Sequence, residues 1–135
     1  MNAELLLICG NCGSVVPPRK GCLWVGHGEI VTRRREGAEW DAQHAGQAMS
    51  LLEMLGMPGP VHWKIHHDHC TPEPEDPYWI GTEDVATWTQ LAHWTAHLME
   101  KTWFALTDWD VLLREVAGDI PSMRITPAQI GRAHV

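Results

Sequence analysis

The sequence predicts an α+β fold: a small β-hairpin module closed by a metal, with an inserted helix and two C-terminal helices. Three observations predict it. Cys9-x2-Cys12 is followed, after a long spacer, by His67-x2-Cys70, and two residues apart is the spacing at which a tight turn presents a pair of metal ligands. Val61-His62-Trp63-Lys64-Ile65-His66 alternates apolar and polar residues, as a half-buried strand does. Two segments nearer the C-terminus carry apolar residues at helical spacing behind capping residues.

Taken in order, residues 3–8 read as a short strand, with Leu5-Leu6-Leu7-Ile8 running into Cys9-Gly10-Asn11-Cys12-Gly13. Residues 15–21 are turn-rich. Leu23-Trp24-Val25 and Ile30-Val31 suggest a hairpin bent at residues 26–28. Trp40, His44, Ala48, Leu51 and Leu55 recur at helical spacing and predict one apolar helix face, with His44 as a core histidine. Gly56 and Pro58-Gly59-Pro60 end that helix. Residues 71–77, Thr-Pro-Glu-Pro-Glu-Asp-Pro, form a stiff extended linker. Thr87, with Gln90 three residues on, opens a helix that buries Trp88, Leu91, Ala92, Thr95, Leu98 and Met99. A second helix starts after Thr107, with Asp108 and Asp110 in its first turn, buries Trp109, Leu112, Leu113 and Val116, and stops at Gly118. The expected organisation is one domain over residues 1–118: a zinc module at 3–70, the proline-rich linker 71–77 and a helical pair at 87–118. Residues 119–135 are expected to be a tail.

The 135 residues are 44% hydrophobic and 20% charged, which excludes disorder throughout. The longest N-terminal apolar run, residues 5–8, is far below the roughly 20 residues of a membrane span and too short for a signal-peptide core. A cytoplasmic location is the expectation. Ten Lys+Arg against 17 Asp+Glu give a formal charge of −7. That balance opposes tight nucleic-acid binding that ignores sequence, because such binding neutralises phosphates with basic side chains. Arg33-Arg34-Arg35, with Arg19 and Lys20 upstream, form the one basic cluster. They are the candidate DNA contact, against the plainer reading of a solvated loop.

The chemistry lies in the four cysteines and nine histidines. Cys9, Cys12, His67 and Cys70 make a closed Cys3His set, the usual donor set of one structural Zn2+. The long spacer is little obstacle, because loop-closure entropy grows only logarithmically. His67 is preferred to His66 and His69 because it continues the strand face of Ile65 and alone has the knuckle spacing to Cys70, with two residues between them. His66 falls on the opposite face with His62 and Lys64. Cys22 is the competing fourth ligand, but it has no partner at close spacing and begins an apolar strand, where a free thiol is an ordinary core residue. His93 and His97 sit one helical turn apart with no glutamate after the first, and read as a solvated helix face. Trp88, Trp109 and Trp63 are assigned to the core. Trp24 and Trp79 offer a possible stacking platform, with core packing preferred.

The runs Cys9-Gly-x-Cys12-Gly, Gly21-Cys-Leu-Trp24-Val and Trp63-x-Ile-His-His67-x2-Cys70 resemble small Cys/His zinc proteins of actinobacteria and their phages, as do Trp94-Thr-Ala-His-Leu-Met99-x-Lys-x-Trp103 and Thr107-Asp-Trp109. The resemblance covers roughly residues 9–118 and implies a zinc-ribbon or treble-clef-like module with a C-terminal helical pair. In ligand order alone the set is similar to the PARP-type zinc finger, whose short spacer and basic DNA-reading surface are missing. Residues 124–134 resemble the opening helix of bacterial helix-turn-helix domains, but the sequence given leaves no room for a recognition helix. The alternative is an amphipathic tail.

Function follows as an expectation. A non-enzymatic interaction or regulatory module is favoured, with zinc joining two distant segments and a protein partner ahead of DNA. The rival is a metal-dependent nuclease of the HNH type using His66 and His67. That site also needs an Asn and a final His on a nearby helix, whereas the only asparagines are Asn2 and Asn11.

Overall fold

The computed structural model describes residues 4–46, 50–72 and 76–128. The α+β expectation holds: two three-stranded antiparallel sheets pack with three of four helices around one core. The first sheet has the order β2–β1–β6, from β1 (Leu5–Ile8), β2 (Val15–Val16) and β6 (Ile125–Pro127). The second has the order β4–β3–β5, from β3 (Gly21–Gly26), β4 (Lys64–His67) and β5 (Pro77–Gly81). Between β3 and β4 lie α1 (His27–His44) and the single turn α2 (Leu51–Met54). The β3–β4 pair is thus a hairpin interrupted by a helical insertion, with Gly21 opposite His67 and Leu23 opposite Ile65.

The expected alternation runs from Val61 into β4, although the strand itself starts at Lys64. Val61, Trp63 and Ile65 are buried, and His62, Lys64 and His66 lie on the other side. Trp63 meets Trp109 edge to face at 5.1 Å and Tyr78 at 6.2 Å. The Trp63 and Trp109 indoles are satisfied, Trp63 by donating to Thr107 Oγ1 at 3.0 Å and Trp109 to Thr95 Oγ1 at 2.9 Å. This aromatic centre joins the sheets to α3 (Trp88–Leu98) and α4 (Trp109–Ala117). Gly118, in the left-handed region at φ 84°, ends α4 where the sequence places its stop.

Thr87 caps α3 as expected, its Oγ1 accepting from the Gln90 amide at 3.2 Å. Gln90 braces the same turn, accepting from Ala86 N and donating to the Glu83 carbonyl. Thr87→Ala should cost about 1 kcal/mol, read as a shifted urea midpoint with an unchanged slope.

Several expected elements are corrected. No hairpin joins residues 23–25 to 30–31: β3 is a central strand already paired on both edges, so the chain turns at Gly26 into α1. Ile30 is the residue α1 buries, and Val31 is exposed. The helix read from Trp40 to Leu55 is broken. Helix α1 ends at His44, and Gly46 at φ 73° turns the chain. Ser50 and Glu53 then form a capping box that starts α2. Leu51 and Leu55 are exposed, and Ala48 lies outside the described residues. His44 is half-buried, stacked on Trp40 at 3.9 Å, not in the core. On α3 only Leu91 and Leu98 are buried, while Trp88, Ala92 and Met99 face outward. Trp24 is buried, but Trp79 is 64% exposed.

The C-terminal segment is also not a free helix or tail where it is described. Ile125–Pro127 is β6, pairing with β1 at Leu7↔Ile125, and Ile125 is fully buried. Residues 129–135 of the helix-turn-helix-like stretch lie outside the described residues. The proline-rich stretch 71–77 links β4 to β5, which flank β3 in one sheet, and Pro77 already belongs to β5.

Candidate metal centre

The ligands come from the ends of three elements. After β1 the chain makes a tight knuckle, closed by Cys9 N donating to the Ser14 carbonyl and Gly13 N to the Cys9 carbonyl, both at 2.9 Å. Gly13 adopts φ 77°, a conformation that side chains with a Cβ disfavour. Gly10 has ordinary room for a Cβ, so it is not required sterically. Its amide instead donates to the Ile65 carbonyl at 2.8 Å and ties the knuckle to β4. Gly21 is the tighter constraint, because a Cβ there would lie 2.2 Å from the His66 carbonyl oxygen. The same Cβ would lie 2.6 Å from Val16 Cγ1 of the other sheet, so a glycine lets β2 and β3 meet beside the ligands.

At that junction the ligand atoms of Cys9, Cys12, His67 and Cys70 lie within 4.8 Å of one another and could hold a metal ion. It is the one such group among the described residues. A tetrahedron with bonds of about 2.3 Å has edges of roughly 3.8 Å, so small side-chain rotations close this set onto one ion. Cys12 Sγ already stands 3.5 Å from His67 Nδ1. On the far side of the ring, His67 Nε2 meets the Val15 carbonyl at 3.0 Å. A carbonyl only accepts, so Nε2 carries the proton and a neutral ring turns its Nδ1 lone pair to the cluster. Of the histidines at 66, 67 and 69, His67 is the one in this group. His69 stacks on His67 at 5.2 Å outside the group.

The electrostatics suit ionised sulfur. Burial pushes the Cys9 thiol up, but backbone amides of Cys12, His67 and Asn11 and the His67 ring outweigh it, lowering the pKa from 9.0 to about 5. His67 is raised, chiefly by its hydrogen bond to Cys9. Cys70 is raised as well: Asn11 lowers it, but burial and the neighbouring Cys9 prevail. Cys22 stays outside the cluster, half-buried on β3, and burial raises its thiol.

The other histidines stand apart. The indole of Trp24 donates to His66 Nδ1 at 2.9 Å, which occupies the lone pair a general base would need on that nitrogen. His93 and His97 are exposed on α3, as expected. Arg33, Arg34 and Arg35 lie on α1 and not in a loop. Consecutive helical residues fan out by about 100° each, and Arg33 is tied to the Gly59 carbonyl at 2.9 Å.

Sequence reasoning missed one polar cluster. Arg124 bridges the nearly buried carboxylates of Asp108 and Glu115 and also donates to the Trp63 carbonyl. A signal was present, since Glu115 sits on the apolar stripe of α4 between Leu112 and Val116, where an acid needs a partner.

Comparison with protein-family models, with curated proteins and with solved structures finds no significant match. No helix among the described residues is long and apolar enough to cross a membrane.

Proposed function

We propose that Cys9, Cys12, His67 and Cys70 hold one structural Zn2+, and that the protein is a non-enzymatic interaction or regulatory module of the reducing cytoplasm, with a protein as its partner. The observation that carries the reading is the ligand set. Four protein donors lie within 4.8 Å of one another, at the junction of two sheets, and would fill a tetrahedral shell without a substrate or a water. Three thiolates also donate charge to the ion and weaken it as a Lewis acid, which suits a fastener better than a catalyst. The occupied Nδ1 of His66 argues in the same direction against nuclease chemistry. Kinship with the small Cys/His zinc proteins of actinobacteria and their phages belongs to this proposal.

Elemental analysis of the purified protein should find about one zinc per chain, and Cys12→Ala should lose it. Absence of stoichiometric zinc from the native protein, or full retention by Cys12→Ala, defeats the assignment. DNA is the lesser partner in this reading. Contact through Arg33, Arg34 and Arg35 predicts a slope of about −2.7 in log K against log salt, at −0.9 per neutralised phosphate. Tight binding at physiological salt that survives loss of all three arginines would overturn that ranking.

A further inference from the structure

The metal centre is shielded unevenly. Cys9, just past β1, is 1% exposed, and Cys70 is half-buried on the single turn Asp68–Cys70 that follows β4. Cys12 is exposed, as is every residue of the knuckle from Gly10 to Ser14. A small solute therefore meets the Cys12 sulfur first. The thiolate is the form of cysteine that reacts with peroxides, and ligation to a metal holds sulfur in that form.

The same knuckle supplies a second sulfur. Cys9 and Cys12 share one turn, closed by Gly13 N donating to the Cys9 carbonyl, and both belong to the group whose ligand atoms lie within 4.8 Å of one another. Cys70 belongs to it as well, but it arrives from far along the chain. Once the ion is lost, loop-closure entropy favours the pair separated by two residues. Cys22 lies outside the group, on β3. Beside the metal, the Gly10 amide on the Ile65 carbonyl and the His67 ring on the Val15 carbonyl tie the knuckle to β4. Both bonds sit next to ligands, so loss of the ion loosens them together.

We infer that the centre is a peroxide-responsive switch, in which oxidation at Cys12 joins it to Cys9 as a disulfide and expels the metal. The inference rests on the zinc reading above and adds the regulation of that site. In the first step the Cys12 thiolate takes one oxygen from hydrogen peroxide, giving a sulfenic acid and hydroxide. The Cys9 thiolate then attacks Cys12 Sγ: the S–S bond forms, the S–O bond breaks and a second hydroxide leaves. Two thiolates lose two electrons, and the peroxide takes up both. Only His67 and Cys70 then remain as ligands, too few to retain the ion in a structural site. A thiol reductant reverses the disulfide, and zinc rebinds.

The test treats the zinc-loaded full chain with hydrogen peroxide. A chromophoric indicator follows free zinc, and peptide mapping by mass spectrometry follows the cysteines. One zinc should be released per Cys9–Cys12 disulfide formed, and dithiothreitol with added zinc should restore the starting state. Cys22→Ser should release zinc at the native rate. Cys12→His keeps four donors without the exposed sulfur and should slow release at least roughly tenfold. Mapping of the native chain decides the disulfide whether or not that variant holds its metal. Zinc is counted before peroxide is added: a chain that carries none defeats the zinc reading and this inference with it. Zinc retained under peroxide defeats this inference alone. So does a main product joining Cys70 or Cys22, irreversible sulfinate in place of a disulfide, or a zinc-loaded Cys12→His that releases as fast as the native protein.

Discussion

Stripping the metal should cost more stability than any single substitution outside the ligand set. Metal binding contributes on the order of 10 kcal/mol in small zinc modules, against about 5–15 kcal/mol for the whole stability of a typical domain. After chelation, or in Cys12→Ala, amide exchange should accelerate first in residues 9–16 and 64–71, where knuckle and β4 meet. Helices α3 and α4 should hold protection longer, since Leu91, Leu98 and Leu112 are fully buried without the metal's help. Unchanged exchange in residues 9–16 after verified metal loss would show that the ion fastens nothing.

Protons should report the same event. In the metal-free protein the depressed pKa of Cys9, about 5 against 9.0, contributes stability present above pH 9 and lost as pH falls toward 5. The raised pKa of His67 acts oppositely: its contribution is present below its ordinary value of 6.5 and lost as pH rises through the raised one. Without metal the two groups favour an ionised pair. Zinc requires a neutral His67 and an ionised Cys70, so binding near neutral pH should release protons. Calorimetry in buffers of different ionisation enthalpy measures that release, and a heat independent of buffer would contradict it.

Much of the site was legible because its determinants are local. Cys9 and Cys12 share one turn, His67 and Cys70 share another, and strand parity from Trp63 through Ile65 decides which histidine turns inward. The capped helices α3 and α4 were legible for the same reason. The segment at 40–55 shows the limit: its apolar spacing fits a helix, but spacing does not register the turn that Gly46 makes. Strands β5 and β6 depend on partners far along the chain. Ile125-Thr126-Pro127 is too short to announce itself, and β1 alone defines its place. The outward tryptophan was hidden too, because Trp24 and Trp79 are register partners on one sheet face and only packing distinguishes them.

The second large effect is expected at Arg124. Its guanidinium donates from Nε to Glu115 Oε2 at 2.8 Å and from Nη1 to Asp108 Oδ2 at 2.9 Å and the Trp63 carbonyl at 3.0 Å. Glu115 Oε1 accepts from the Met123 and Arg124 amides, and Asp108 Oδ1 from the Trp63 amide. The two carboxylate side chains are only 3% exposed. This one side chain therefore joins α4, the start of β6 and the backbone before β4. Its removal leaves two buried carboxylates held by backbone amides, with His62, itself 71% exposed, beside Asp108. Breaking such a network by deleting one member costs about 3–5 kcal/mol, more than the intact network need contribute, because the stranded charges remain buried. Arg124→Met should show that loss in urea titrations of the zinc-loaded protein, with faster exchange along the β1–β6 pairing. Adding Glu115→Gln should recover part of it by removing one stranded charge, a coupling that independent sites would not show. A loss below about 1 kcal/mol would place Arg124 among ordinary surface ion pairs and leave β6 held by Ile125 and its backbone bonds alone.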